Sequence, residues 1–105
     1  MGKTVRLLKN VEEFLDKRDE KLRAKLLRQL KYVQEFGLTA MVPSLKKLKE
    51  TNFWELRVLG RDNARLLCVE KRGIIWIIYG FIKKKQRTDI REIDEAWRRE
   101  KEIGD

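Results

Sequence analysis

Leu22, Leu26, Leu30 and Val33, joined by Leu27 and Phe36, recur at three- and four-residue spacing. That period predicts a helix from about Asp19 to Phe36 with one apolar face turned to a core. Gly37 is well placed to end it. Ahead of it, Thr4 to Lys9 (TVRLLK) reads as a short strand. Asn10 followed by Glu13 resembles a capping box opening a short helix that carries Val11, Phe14 and Leu15. Leu38 to Asn52 reads as a linker and holds Pro43. The pattern then turns strand-like over Phe53 to Leu59, Asn63 to Lys71 and Gly73 to about Lys84. Gly60-Arg61-Asp62 and Arg72-Gly73 separate these runs as hairpin turns. Thr88 and Asp89 can cap a last helix whose apolar face is Ile90, Ile93, Ala96 and Trp97. The order β-α-α-β-β-β-α predicts an α+β fold, an antiparallel sheet with helices packed on it. At 105 residues it is expected to form a single domain over 1–105.

Charge changes this picture by its sign rather than its amount. Charged residues make up 41% of the chain, an excess that by itself describes a well-solvated surface of the heat-adapted kind. The net charge is +9, however, and between Met41 and Arg91 stand thirteen basic and five acidic residues, a difference of +8. The two helical ends, at +4 and −3, together add only +1. An excess gathered in one stretch points to a polyanion, and nucleic acid is the expected partner.

Other composition removes function classes. The chain contains no His and one Cys, Cys68. This excludes a Ser-His pair, makes a zinc site improbable on donor chemistry, and rules out an internal disulfide. There is no GxGxxG and no P-loop. The longest apolar run, Ile74 to Ile82, is far short of the ~20 residues that span a bilayer. These features predict a cytoplasmic protein with no membrane association, no metal and no cofactor.

What remains is a set of cations on strands. With a three-residue first loop, Leu59 faces Asn63 and Arg57 lies opposite Arg65. With a two-residue second turn, Lys71 faces Ile74 and Arg65 falls opposite Gly80, so Lys84 would share the face of Arg57 and Arg65, provided no bulge intervenes near Gly80. Like charges directly opposite destabilise a sheet. Either an anion sits between the two guanidinium groups, or they diverge into water with Glu55 balancing them. The other parity puts Trp54, Leu56 and Val58 with Leu66, Cys68, Ile75 and Ile77 on an apolar face, and Cys68 reads as a small buried residue. Trp76 and Tyr79 could stack on bases, but in so apolar a run they read as core. Lys83, Lys84, Lys85 and Arg87 form a run suited to gripping RNA phosphates, and Lys46, Lys47 and Lys49 make a second basic cluster.

The segments Phe53-Trp54-Glu55-Leu56-Arg57-Val58, Ala64-Arg65-Leu66, Gly80 to Thr88 (GFIKKKQRT) and Glu92 to Ala96 (EIDEA) resemble the phage-derived HigB-like branch of the RelE/ParE toxin superfamily over nearly the whole chain. The resemblance implies a RelE-like fold, two N-terminal helices packed on a twisted antiparallel β-sheet with a C-terminal helix. It implies the toxin of a type II toxin–antitoxin system, acting as a ribosome-dependent mRNA endonuclease at the A site. A cognate antitoxin, expected to be a helix-turn-helix protein, would cover the active surface. By position, Arg57, Arg65 and Lys84 (or its neighbour Lys85) match basic residues of the family's cleavage site, and Glu55 stands where some relatives carry Lys. A metal-independent mechanism follows, in which Arg57, Arg65 and Lys84 stabilise the phosphorane, while one of Lys83 to Lys85, or Glu55, moves the proton. Many ribonuclease relatives place a Tyr or His near the C-terminus, and nothing after Tyr79 is either. Two alternatives stay open, a ParE-like poison of DNA gyrase and a non-catalytic RNA-binding module.

Overall fold

The computed structural model describes residues 2–58, 60, 62–86 and 88–104. Its elements in chain order are β1 (Thr4–Leu7), α1 (Lys9–Asp16), α2 (Glu20–Phe36), β2 (Leu45–Lys47), β3 (Trp54–Val58), β4 (Ala64–Lys71), β5 (Ile74–Ile82) and α3 (Ile90–Glu100), with a 3-10 turn at Lys101–Ile103. The strands form one sheet in the order β1-β5-β4-β3-β2. Three of its four pairings are antiparallel, but β1 runs parallel to β5, so the expected antiparallel sheet is mixed. Two helices and the whole meander separate β1 from β5, and no tight turn forces the chain to reverse between them. The linker also supplies a strand, β2, whose Leu45, Lys46 and Lys47 pair with Leu56, Glu55 and Trp54.

Local chemistry explains the helices. Asp19 Oδ1 accepts from Leu22 N–H at 2.8 Å, and Gly37 ends α2 with φ 73°. Leu22, Leu26, Leu30 and Val33 are buried, together with Val11 and Leu15 of α1. Leu27, expected on the same face, is 49% exposed, because it lies about 100° around the helix from the fully buried Leu26. The capping box is not formed. Helix α1 starts at Lys9 with Leu8 as its N-cap, and the Asn10 side chain instead donates to the carbonyl of Ile78 at 3.0 Å.

The sheet separates two apolar clusters. Under α1 and α2 lie Leu56, Val58, Ala64, Leu66, Cys68, Ile75 and Ile77. Each fully buried aliphatic side chain there contributes roughly 1.5–3 kcal/mol. Burial pushes the Cys68 thiol pKa up, so the side chain stays a neutral packing group. Under α3 lie Phe53, Leu67, Val69, Ile78 and Phe81, with Trp76 and Tyr79 packed against them and Ile93 and Ala96 reaching down from the helix. Trp97 adds a tilted ring contact to Phe53 at 4.6 Å between centroids. Ile90, expected on the apolar face of α3, stands 70% exposed in its first turn.

Two details of β5 set the position of the site. Arg72 and Gly73 both have positive φ, 53° and 79°, the conformation of the tight turn that fixes Lys71 against Ile74. Further along, the register shifts: Cys68 pairs with Ile77 but Leu67 pairs with Tyr79, leaving Ile78 as the extra residue of a β-bulge. Gly80 then meets α1 closely. A Cβ on Gly80 would stand 2.6 Å from the Phe14 ring and 3.0 Å from Leu66 Cδ2.

Candidate nucleic-acid interface

Arg57 and Arg65 are direct partners across β3 and β4, the register expected from the hairpin loops. Leu59, Arg61 and Arg87, which also entered that expectation or the basic run, lie outside the described residues. The bulge overturns the next step. Arg65 pairs with Phe81 rather than Gly80, so beyond Ile78 the parity of β5 is reversed and Lys83 takes the side of the sheet expected for Lys84. Lys83 N–H is held by the Asn63 carbonyl at 2.9 Å, which continues the ladder past the end of β5.

These residues surround one open cleft of about 380 Å³, lined by Arg57, Asn63, Arg65, Lys83, Lys84, Lys85 and Gln86. Lys84 therefore belongs to the same cleft, although from a different register position than expected. Behind the cleft sits Glu55, 2% exposed. Its Oε1 lies 3.7 Å from Arg65 Nε, and its Oε2 accepts a 2.6 Å hydrogen bond from the Thr88 hydroxyl. The alternative in which two arginines diverge with Glu55 balancing them is thus half realised, because Glu55 balances Arg65 while both arginines still line the cleft. Arg65 itself is 3% exposed and donates from Nη1 to the Ala64 carbonyl. The Nε atoms of Arg57 and Arg65 are buried with no hydrogen-bond partner among the described residues. Unsatisfied buried donors are uncommon, and here two facing arginines each keep one, Arg65 Nε having only the Glu55 oxygen 3.7 Å away.

The electrostatics follow from the crowding. Burial lowers the Arg65 pKa most, Glu55 opposes that, and Arg57 adds to it. The Lys83 amine is also lowered, first by burial, against the pull of Glu55, and further by Arg65, Arg57 and Lys46. A lysine whose charged form is disfavoured is suited to accept a proton.

The other basic residues divide. Lys46 is the cross-strand partner of Glu55, so it stands on the side of the cleft. Lys47, one position on, faces the other way opposite Trp54 and donates to the Thr51 carbonyl. Lys49 lies in the turn after β2, and neither it nor Lys47 lines the cleft. Lys85 lines the cleft while pairing with Asp89 at 3.3 Å. Sequence reasoning missed Thr88 and Asn63 as parts of the site; their hydrogen bonds to Glu55 and Lys83 depend on distant strands and leave no local pattern. Trp76 and Tyr79 pack against the α3 cluster. The phenol of Tyr79 donates to Glu92 at 2.8 Å, and burial followed by that bond pushes its pKa up. Among the described residues no three His, Cys, Asp or Glu side chains come together in a way that would hold a metal ion, nor is any helix long and apolar enough to cross a membrane.

Residues 13–101 match the family described as phage-derived protein Gp49-like (DUF891). The chain belongs to that family. The Gp49-like chain is similar in structure to a mutant of the E. coli toxin RelE in its free state, with a TM-score of 0.69 and 15% identity over 94% of this chain and 98% of that one. It is also similar to a chain of the toxin–antitoxin complex RelBE2 from Mycobacterium tuberculosis, with a TM-score of 0.56 and 17% identity over 81% of this chain and 95% of that one. At such identities the likeness establishes the fold, and the Gp49-like chain has the RelE fold. No curated protein matches it.

Proposed function

We propose that this chain is the toxin of a type II toxin–antitoxin system and cleaves messenger RNA on the ribosome, at the A site. One observation carries the reading: Arg57, Arg65, Lys83, Lys84 and Lys85 line a single open cleft whose described lining contains no carboxylate. A phosphodiester is the ligand such a cleft suits, since guanidinium forks and ammonium groups bind phosphate with charge-assisted hydrogen bonds. The RelE fold and the Gp49-like family agree with this reading. RelBE2 is a toxin–antitoxin complex, which supports a cognate antitoxin here, with a helix-turn-helix protein as the expected kind.

In the proposed reaction the ribose 2′-oxygen attacks the adjacent phosphorus and the bond from phosphorus to the 5′-oxygen breaks. The products are a 2′,3′-cyclic phosphate and a 5′-hydroxyl. Lys83, with its depressed pKa, takes the 2′ proton. Lys84 or Lys85, both exposed, returns a proton to the leaving oxygen. Arg57 and Arg65 stabilise the extra charge on the phosphorane, roughly 3 kcal/mol for each positioned donor. Glu55 is shut from solvent and engaged at both oxygens, so it positions Arg65 rather than carrying protons. Lys46 extends the cationic track for the RNA backbone. The scheme draws on side chains alone.

Induced expression followed by primer extension tests this. Cuts within codons of translated messages are expected. Intact messages with damaged DNA would favour a ParE-like gyrase poison, and intact messages with intact DNA a binding module without chemistry.

A further inference from the structure

A second recess, about 560 Å³, opens beside the cationic cleft and shares Lys84 and Lys85 with it. Its character is different. Phe81 supplies its apolar floor from the α3 face of β5, the neighbouring Ile82 borders it, and Asp89, Arg91 and Glu92 from the start of α3 stand around it. Ligand recesses combine an apolar surface with a few placed polar groups in this way, at volumes of about 300–1,000 Å³. Asp89 is already committed, since Oδ1 caps α3 through Arg91 N–H at 3.0 Å and Oδ2 pairs with Lys85 at 3.3 Å. Glu92 is half committed. Its Oε1 accepts from the Tyr79 phenol, and among the described residues nothing else donates to it. The Arg91 side chain is exposed on the first turn of α3.

We infer that this recess is the subsite for the nucleobase attached to the phosphate held between Arg57 and Arg65, and that it favours cytosine over uracil. The inference rests on the ribonuclease reading above and deepens it. In a nucleotide an anion and a flat, largely apolar ring are joined through one sugar, and here a cationic cleft and an apolar-floored recess meet at two shared lysines. The Arg91 guanidinium supplies a planar cation to lie on the ring. The second oxygen of Glu92 can only accept, so it selects a base that presents an exocyclic amine, as cytosine does through N4. Uracil offers a carbonyl oxygen at that position, which faces a carboxylate unfavourably.

The test titrates the full chain, labelled with ¹⁵N, with inorganic phosphate, 3′-CMP and 3′-UMP. All three are expected to shift the amides of Arg57 and Lys84. Only the nucleotides should shift those of Arg91 and Glu92, with 3′-CMP bound about tenfold more tightly than 3′-UMP. Glu92→Gln keeps a carbonyl acceptor for Tyr79 but turns the other oxygen into a donor amide, so it should reverse the preference towards 3′-UMP while phosphate binding stays unchanged. A purely structural Glu92 would give no such reversal. If both nucleotides bind like phosphate and leave Arg91 and Glu92 undisturbed, the base subsite is overturned while the phosphate cleft stands. If phosphate fails to shift Arg57 and Lys84, the cleft and the inference built on it fall together.

Discussion

Arg65 and Leu66 are neighbours in β4, and both are buried, yet they meet opposite surroundings. Leu66 lies in the apolar cluster under α1 and α2. Arg65 lies on the other face, between Arg57 and Glu55, beyond the cluster that α3 covers. The same strands thus carry a face devoted to stability and a face divided between packing and charge. The difference teaches that a buried residue's contribution depends on what it leaves behind when removed. Leu66 would leave a cavity, whereas Arg65 would leave an uncompensated carboxylate and the proposed anion site short of a donor.

Truncating each neighbour should break the comparison most sharply. Leu66→Ala is expected to lower stability by about 3 kcal/mol through its cavity. Arg65→Ala should lower stability by a similar amount, about 3 kcal/mol, because Glu55 is left buried and unpaired. Their activities should diverge. RNA cleavage per folded molecule is expected to fall about 10³-fold for Arg65→Ala and to stay near the parent value for Leu66→Ala. Urea unfolding paired with cleavage rates checks both. Equal activity losses would show that the faces are not functionally distinct, and an Arg65→Ala chain as toxic as the parent would remove Arg65 from the site.

The next effect concerns Lys83 and pH. Its folded-state pKa lies below the ordinary 10.5, so the unfolded chain binds more protons in the window between the two values. Stability should therefore rise as pH climbs through the depressed pKa, and the gain should be complete above 10.5. Cleavage should rise over the same pH interval as the neutral base accumulates. Lys83→Arg is expected to lower the rate about 10²-fold and to flatten that rise. A pH–rate profile unchanged in Lys83→Arg would assign the proton transfer elsewhere.

Much of this arrangement is legible in the sequence, and the illegible part has a physical cause. Three- and two-residue turns suffice to place Arg57 against Arg65 and Lys71 against Ile74, because loop length fixes hairpin register. Lys83 could not be told from Lys84 in this way. The run Ile74 to Ile82 is apolar on both faces, so an extra residue at Ile78 leaves no mark in its alternation. Strand β2 was hidden for a related reason, since three residues with one half-buried leucine show no period. Asn10 reads as a local cap because its actual partner, the Ile78 carbonyl, lies 68 positions away.

Gly80 offers a smaller effect on the apolar face. Adding a methyl group at Gly80 drives it against the Phe14 ring and Leu66, and Gly80→Ala should cost about 2 kcal/mol by overpacking. Phe14→Leu in the same chain should recover part of that loss by freeing space. Thermal unfolding of the single and double variants measures the coupling, and simple additivity would mean that the α1–β5 contact is looser than these distances imply.

Asn10 gives the smallest effect and the most direct test of how the two faces are joined. Its side-chain amide donates to the carbonyl of the bulge residue, Ile78, from the helical side of the molecule. Asn10→Ala should lower stability by only about 1 kcal/mol, the usual net worth of such a bond. Its effect on the cleft should be larger than that figure suggests, because the bulge decides which lysine joins Arg57 and Arg65. If the bulge relaxes, the register beyond Ile78 slips by one residue and Lys84 replaces Lys83 on the cationic face. Cleavage by the Asn10→Ala chain would then lose more to Lys84→Arg than to Lys83→Arg, whereas in the parent the larger loss is expected at the base, Lys83. An Asn10→Ala chain that keeps the parent's order would show that strand packing alone maintains the bulge, with the hydrogen bond following from it.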